Sequence, residues 1–236
     1  MRRLLALALA LALTAPAGSL ATTFTDDFEG GANAAGWAFL GPGGDILEPA
    51  GGNPGGWLHA PVYDTFAPSL TCAVGNATPF VGDYRALGVT NISLDLQILG
   101  TDFPVTDFPV VLLLRNTRGT PGDVSDDDYA YTIGPAVPPV GGGWVHYDFA
   151  IPSQSGKPVP AGWFGGSVND CATFEPGVTW NDIITQVDRV EIIFLDPCFF
   201  AIFQQWNVGA DNVSITYEQP TSIEATTWAG VKTLFR

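Results

Sequence analysis

Basic side chains are scarce: 9 Lys and Arg stand against 24 Asp and Glu, for a formal net charge of -15. A field of that sign repels phosphate backbones, which argues against nucleic acid and leaves divalent cations and neutral or cationic ligands. Cysteine is limited to Cys72, Cys171 and Cys198, with no C-x-x-C pair. The two histidines, His59 and His146, lie far apart and read as polar side chains on the outer faces of strands. Neither set has the spacing of a zinc site. No G-x-S-x-G elbow and no G-x-x-x-x-G-K-[ST] loop occurs, so nothing supports nucleophilic catalysis or phosphate cradling. After the first residues, no stretch reaches the roughly 20 uninterrupted apolar residues of a membrane span.

What is present begins with "MRRLLALALALALTAPAGSLA", two arginines, an alanine-leucine run and small residues at Ser19 and Ala21. That is the pattern of a secretory signal peptide over 1–21, with Ala17 as the alternative cleavage point. Loss of Arg2 and Arg3 with it takes the net charge from -15 to -17. Hydrophobic residues make up 46% and aromatics 12%, the composition of a packed globule and not of a disordered acidic chain. In an oxidising compartment one disulfide is expected, with one thiol left over; Cys171–Cys198 closes the shortest loop, although three pairings are open.

The rest of the chain reads as short strands between Gly, Pro, Asn and Asp punctuation. "NISLDLQIL" (91–99) alternates strictly, with Ile92, Leu94, Leu96 and Ile98 on one face. "VVLLLR" (110–115) is continuously apolar, as a strand buried on both faces would be. "YAYTI", "WVHYDFAI", "VEIIFL" and "NVSITY" follow in the same manner. In "TWNDIITQV" (179–187), Thr179 and Asp182 stand as N-cap and partner, and Trp180, Ile183, Ile184 and Val187 share a helical stripe. The expected fold is therefore all-β, a two-sheet jelly-roll sandwich over 22–218 with one short helix.

Several of these pieces carry a family resemblance. "PFVGDYRALGVTNISLDLQI" resembles the F-x-G-D…Y-x-x-x-G-x-L-x-F-x-L segment of laminin IV (laminin B) domains. "GGGWVHYDFAIP", "WNDIITQVDRVEIIF" and the closing "ADNVSI" follow in that family's order. The opening "DDFEGGANAAGW" is similar to bacterial members and to galactose-binding-like carbohydrate-binding modules on a related jelly roll. The chain departs from the laminin pattern at "GDYRALG", which has one glycine where two are usual, and at "GDVSDDDY", which has no counterpart.

The resemblance implies that first and last strands pair, bringing "DDFE" near "ADNVSI". Asp26 or Asp27, with Glu29 and Asp211, would then form an oxygen-rich cage, and related modules hold a structural calcium at that place. The other reading is that acids on a strand edge are solvated and discourage edge-to-edge pairing. As a catalytic pair they are poor candidates, because glycosidase carboxylates must flank a cleft at a set separation. The cluster Asp123, Asp126, Asp127 and Asp128 misses the EF-hand spacing and reads as a solvated surface loop, with a second calcium site as the alternative.

For sugar binding, Trp206 stands first, since Gln204, Gln205 and Asn207 flank it with amides suited to hydroxyls. Trp57 and Trp163 lie in glycine-rich loops, whereas Trp37, Trp144 and Trp180 follow core patterns. The segment 219–236 reads as a linker followed by an amphipathic helical tail with Trp228, Val231, Leu234 and Phe235 at helical spacing. It is similar to T-W-x-x-[IV]-K-x-L-[FY]-R tails of some exported bacterial proteins. Docking on its own sandwich, sorting and surface assembly are its readings, against a frayed terminus. The sequence thus points to an exported, non-catalytic, calcium-stabilised β-sandwich for extracellular binding, adhesion or display. Its partners would be an extracellular glycan or a surface protein, in the medium, at the cell surface or in the periplasm. A carbohydrate-binding module is the alternative, and a secreted glycan hydrolase or lyase a more distant one.

Overall fold

A computed structural model describes residues 21–41, 43–73 and 78–218. The expected signal peptide over 1–21 lies outside the described residues except for Ala21, and the expected tail over 219–236 lies wholly outside them. Twelve strands carry the fold: β1 (Ala21–Asp26), β2 (Ala38–Phe39), β3 (Ile46–Gly52), β4 (Gly55–Thr65), β5 (Ser69–Ala73), β6 (Val89–Thr101), β7 (Pro109–Asn116), β8 (Asp128–Ala136), β9 (Val145–Ala150), β10 (Phe164–Ser167), β11 (Arg189–Ile193) and β12 (Gln204–Glu218). Among the described residues two short helices, α1 (Tyr84–Leu87) and α2 (Trp180–Ile184), accompany them.

The strands form two antiparallel sheets, in the order β3-β4-β12-β6-β9 for the first and β10-β8-β7-β11-β5-β2 for the second. This is the expected all-β sandwich. The axis of the first sheet is β12, which pairs with β6 along one side. On its other side β4 takes Gln204 to Ala210, and β1 takes Val213 to Glu218. First and last strands therefore pair. The register slips between Asp211 and Ser214, with Asn212 left-handed at φ 51°. β12 is longer than expected: the final strand begins at Gln204, not Asp211, so "QQWNVGADNVSITY" is one element.

Strict alternation fills the space between the sheets. Ile92, Leu94, Leu96 and Ile98 of β6 face Val110, Leu112 and Leu114 of β7 and Val190 and Ile192 of β11 in one buried core. At roughly 1.5–3 kcal/mol for each fully buried aliphatic or aromatic side chain, these residues dominate the stabilisation. The helix α2 starts where the capping box places it: Asp182 Oδ2 accepts from the Thr179 N–H at 2.8 Å and from the Thr179 hydroxyl at 2.7 Å. Trp180, Ile183 and Ile184 bury that helix against the core. Helix α1 is an addition to the single helix expected. Asp83 caps it through the Ala86 N–H at 2.9 Å, and Gly88 ends it at φ 67°.

Candidate ligand face and cation site

The two sheets treat their outer faces differently. On the second, Val111, Leu113, Tyr129 and Tyr131 form a separate buried cluster. Phe164 stacks on Tyr131 at 5.3 Å, Cys198 Sγ lies 3.8 Å from the Tyr131 hydroxyl, and the Arg115 guanidinium sits 5.2 Å above the Tyr129 ring. The Cys171–Cys198 disulfide joins the loops that follow β10 and β11 beside this cluster. This roof is why "VVLLLR" is apolar on both faces. Cys72 is buried, and its thiol donates to the Ala35 carbonyl at 3.1 Å.

Among the described residues, the outer face of the first sheet has no such roof. Period-2 alternation turns Glu48, Trp57, His59, Asn207, Gln97, Asp95 and His146 outward from β3, β4, β12, β6 and β9. Trp57 lies flat on the backbone of Gly209, where a Cβ would come within 2.3 Å of the ring. It stacks on His59 at 4.3 Å and takes the edge of Trp144 at 5.5 Å. The ring nitrogens of His59 meet Glu48 Oε1 at 3.0 Å and Asn207 Oδ1 at 2.8 Å. The Trp144 indole N–H donates to the Gly51 carbonyl at 3.1 Å, which fixes a half-buried ring at the mouth of this strip. Beside it His146 is 61% exposed and meets Asp95 Oδ1 at 2.7 Å. Trp144 is thus a surface residue and not the core residue its strand pattern suggested.

At one end of this face lie Asp211, Asp95, Glu29 and the β3–β4 hairpin. Asp211, fully buried, accepts the Asn53 N–H at 2.5 Å and the Asn212 N–H at 2.7 Å. Asp95 Oδ2 accepts from the Asn53 and Asn212 side-chain amides at 3.2 and 2.8 Å. Glu29 Oε1 accepts the Gly56 N–H at 3.2 Å. A Cβ on Gly52 would stand 2.7 Å from Asp211 Oδ2 and 2.3 and 2.9 Å from the Gly56 and Gly55 carbonyl oxygens. Glycine here lets one carboxylate oxygen and two carbonyl oxygens approach one point. Burial, with the charges of Asp95 and Glu29 adding to it, pushes the Asp211 carboxyl up to about 6.

Of the four expected metal ligands, Glu29 and Asp211 are brought to this hairpin. Asp26 turns away: it is buried and accepts the Ala34 and Ala35 N–H groups at 3.2 and 2.7 Å, and burial raises its pKa. Asp27 accepts the Glu29 N–H at 3.1 Å across a turn whose Phe28 is left-handed, so the strand does not continue to Glu29. Among the described residues no three Asp, Glu, His or Cys side chains are grouped as a metal would need. Any cation at the hairpin would therefore depend on carbonyl oxygens as well as on the two carboxylates.

The expected sugar platform is corrected. Trp206 is fully buried between Phe108 and Phe194, its indole N–H donating to the Thr65 carbonyl at 3.3 Å. Gln204 is buried too and accepts the Phe103 N–H at 2.9 Å. Gln205 is exposed, and Asn207 belongs to the open face through His59. The acidic loop is likewise not simply solvated. Asp127 and Asp128 are buried against Arg115 and Arg118, while Asp123 caps a short 3-10 turn over Val124–Asp126.

No family model matches the chain, and no curated protein matches it. Among solved structures, it is similar to a xylan-binding domain from CBM 22 (formally x6b), with 14% identity and a TM-score of 0.41 over 88% of this chain and 99% of the other. It is similar to an exo-beta-agarase at 14% identity and a TM-score of 0.43, over 82% of this chain but only 25% of the agarase chain. The L4b domain of human laminin alpha-2 follows at 11% identity and a TM-score of 0.30, over 63% and 83%. Scores and identities this low leave function to the chain's own side chains.

Proposed function

We propose that the chain is an exported, non-catalytic β-sandwich module that works by binding, and that its ligand is an extracellular glycan laid on the open face of the first sheet. The observation that carries this reading is the contrast between the faces: one is roofed by apolar side chains, while the other leaves Trp144, His146, Asn207 and Glu48 at least partly open to solvent. An indole beside an imidazole and amides suits a sugar's apolar ring faces and rim of hydroxyls. Glycosidase acids must oppose one another across a cleft at a set separation. Asp95 and Asp211 instead accept amide N–H groups that hold the hairpin. The disulfide supports an oxidising, extracytoplasmic setting.

A structural calcium ion belongs to the same reading. Its ligands would be the Glu29 and Asp211 carboxylates, with main-chain carbonyl oxygens at Gly55 and Gly56. Such an all-oxygen donor set suits calcium and no softer metal. The mutual repulsion of Asp211, Asp95 and Glu29 is what a divalent cation would relieve.

The test is binding of the signal-free protein to a panel of polysaccharides, with wild type compared to Trp144→Ala and His146→Ala. Retention of the wild type on one glycan class, reduced at least tenfold in Trp144→Ala with a melting temperature lowered by no more than about 4 °C, is expected. Equal retention of both proteins would move the ligand off this face.

A further inference from the structure

A second surface lies at the end of the sandwich where β12 begins. The segment before that strand, "CFFAIF" (198–203), presents Phe199 at 72%, Phe200 at 85% and Phe203 at 58% exposure. Phe66, at the end of β4, is half exposed and joins them, with ring centroids 5.8 Å from Phe200 and 5.4 Å from Phe203. Phe199 and Phe200 also wall a cavity of about 280 Å³ with Phe108, Pro109 and Leu195. Contiguous apolar side chains so open to water mark an interaction surface. The rim is acidic: Asp107 and Asp196 line the cavity, and Asp64 and Asp102 flank Gln205 through its amide groups. An anionic rim around phenylalanines calls for an apolar occupant carrying positive charge, and it disfavours an anionic lipid surface.

The chain contains such an occupant. Residues 227–236, "TWAGVKTLFR", set Trp228, Val231, Leu234 and Phe235 beside Lys232 and Arg236 with no acid among them. Of the 9 Lys and Arg in the whole chain, two therefore fall in this one decapeptide. Geometry decides whose copy it comes from. The phenylalanines precede Gln204 at one end of the 15-residue strand β12, and the tail departs after Glu218 at the other. At about 3.3 Å per residue that strand is roughly 45 Å long. Trp228 follows Glu218 by ten residues, a reach of about 35 Å even fully extended. Phe235, 17 residues after Glu218, has an extended reach of about 60 Å, but Trp228 falls short of its own molecule's phenylalanines, so the full apolar set of the segment can engage only those of a neighbour.

We infer that the tail of one copy docks on the phenylalanine surface of a second, giving head-to-tail assembly. Such a contact is heterologous: each copy keeps one unfilled surface and one unused tail, so the assembly grows or closes into a ring. This reading is independent of glycan binding, because the open face of the first sheet takes no part in it.

The test uses the full mature chain and two variants in analytical ultracentrifugation across a concentration series. Phe199→Ser/Phe200→Ser removes the surface and keeps the tail; Trp228→Ser/Phe235→Ser does the reverse. Wild type should form concentration-dependent oligomers, and each variant alone should stay monomeric at unchanged melting temperature. An equimolar mixture should then give a 1:1 dimer and nothing larger, since one working surface and one working tail remain. A wild type monomeric throughout the series would overturn the inference. So would oligomers that survive the tail substitutions, which would mean surface packing on surface. Sedimentation of monomers with phosphatidylcholine vesicles, lost in the phenylalanine variant, would overturn it in favour of a membrane.

Discussion

Two tryptophans show how far residue type and neighbours can mislead. Trp206 has amides on both sides in sequence, yet alternation turns its ring inward while sending Gln205 out. Trp144 opens a strand-like run, yet it stands on the open face with its N–H held by Gly51. Their substitutions should therefore separate stability from binding. Trp206→Ala removes a fully buried ring and should cost about 3–5 kcal/mol, read as a fall in the urea midpoint, with glycan retention unchanged at temperatures where the variant stays folded. Trp144→Ala, which loses one edge contact and one indole hydrogen bond, should cost no more than about 1 kcal/mol and reduce retention at least tenfold. If the two variants fell in stability together, Trp144 would be a packing residue and the open face would lose its anchor.

At the scale of elements, features whose cause is local were legible and features whose cause is distant were not. The capping box of α2 and the alternation of β6 are written within a few residues, and both are found where expected. The full span of β12 was hidden because Gly209 and the left-handed Asn212 interrupt its pattern. Burial of Asp127 and Asp128 depends on Arg115 and Arg118 across a hairpin, which no local window contains. Alternation told which side chains point outward, but it could not tell a roofed face from an open one. The Cys171–Cys198 link belongs to that roof, and its residues are 27 apart in sequence. A loop of that length constrains the unfolded chain by about 3.5 kcal/mol in the chain-entropy model. Cys171→Ser/Cys198→Ser should lose up to that amount in thermal unfolding. Amide exchange should rise first around Tyr129, Tyr131 and Phe164, while β6 and β12 stay protected. Uniform loss of protection across both sheets would show that the link supports the whole sandwich and not its roof.

For the whole molecule, the decisive quantity is negative charge, and pH and calcium should act on it in linked ways. Burial holds Asp26, Asp45 and Asp211 above the ordinary carboxylate value of 3.8, Asp211 at about 6. A carboxyl raised in the folded state binds its proton more tightly there than in the unfolded chain. Its contribution therefore destabilises at neutral pH and is relieved as pH falls through the folded value. Without calcium, the protein should gain stability between pH 7 and pH 5. A cation on Asp211 and Glu29 competes with that proton, so its effect should run the other way. At calcium a hundredfold above its dissociation constant, linkage gives about 2.7 kcal/mol. For a domain of this size that is on the order of 5–10 °C in melting temperature. The calcium-minus-EDTA difference should be full at pH 7.5, shrink towards pH 5 as Asp211 takes up its proton, and vanish in Asp211→Ala. Asp26→Ala should keep that difference at a lower baseline, since Asp26 holds Ala34 and Ala35 and stands apart from the hairpin. A shift of equal size at both pH values would place the ion elsewhere. No shift at all would leave Asp211 as a carboxyl strained by its neighbours, and the hairpin held by amide hydrogen bonds alone.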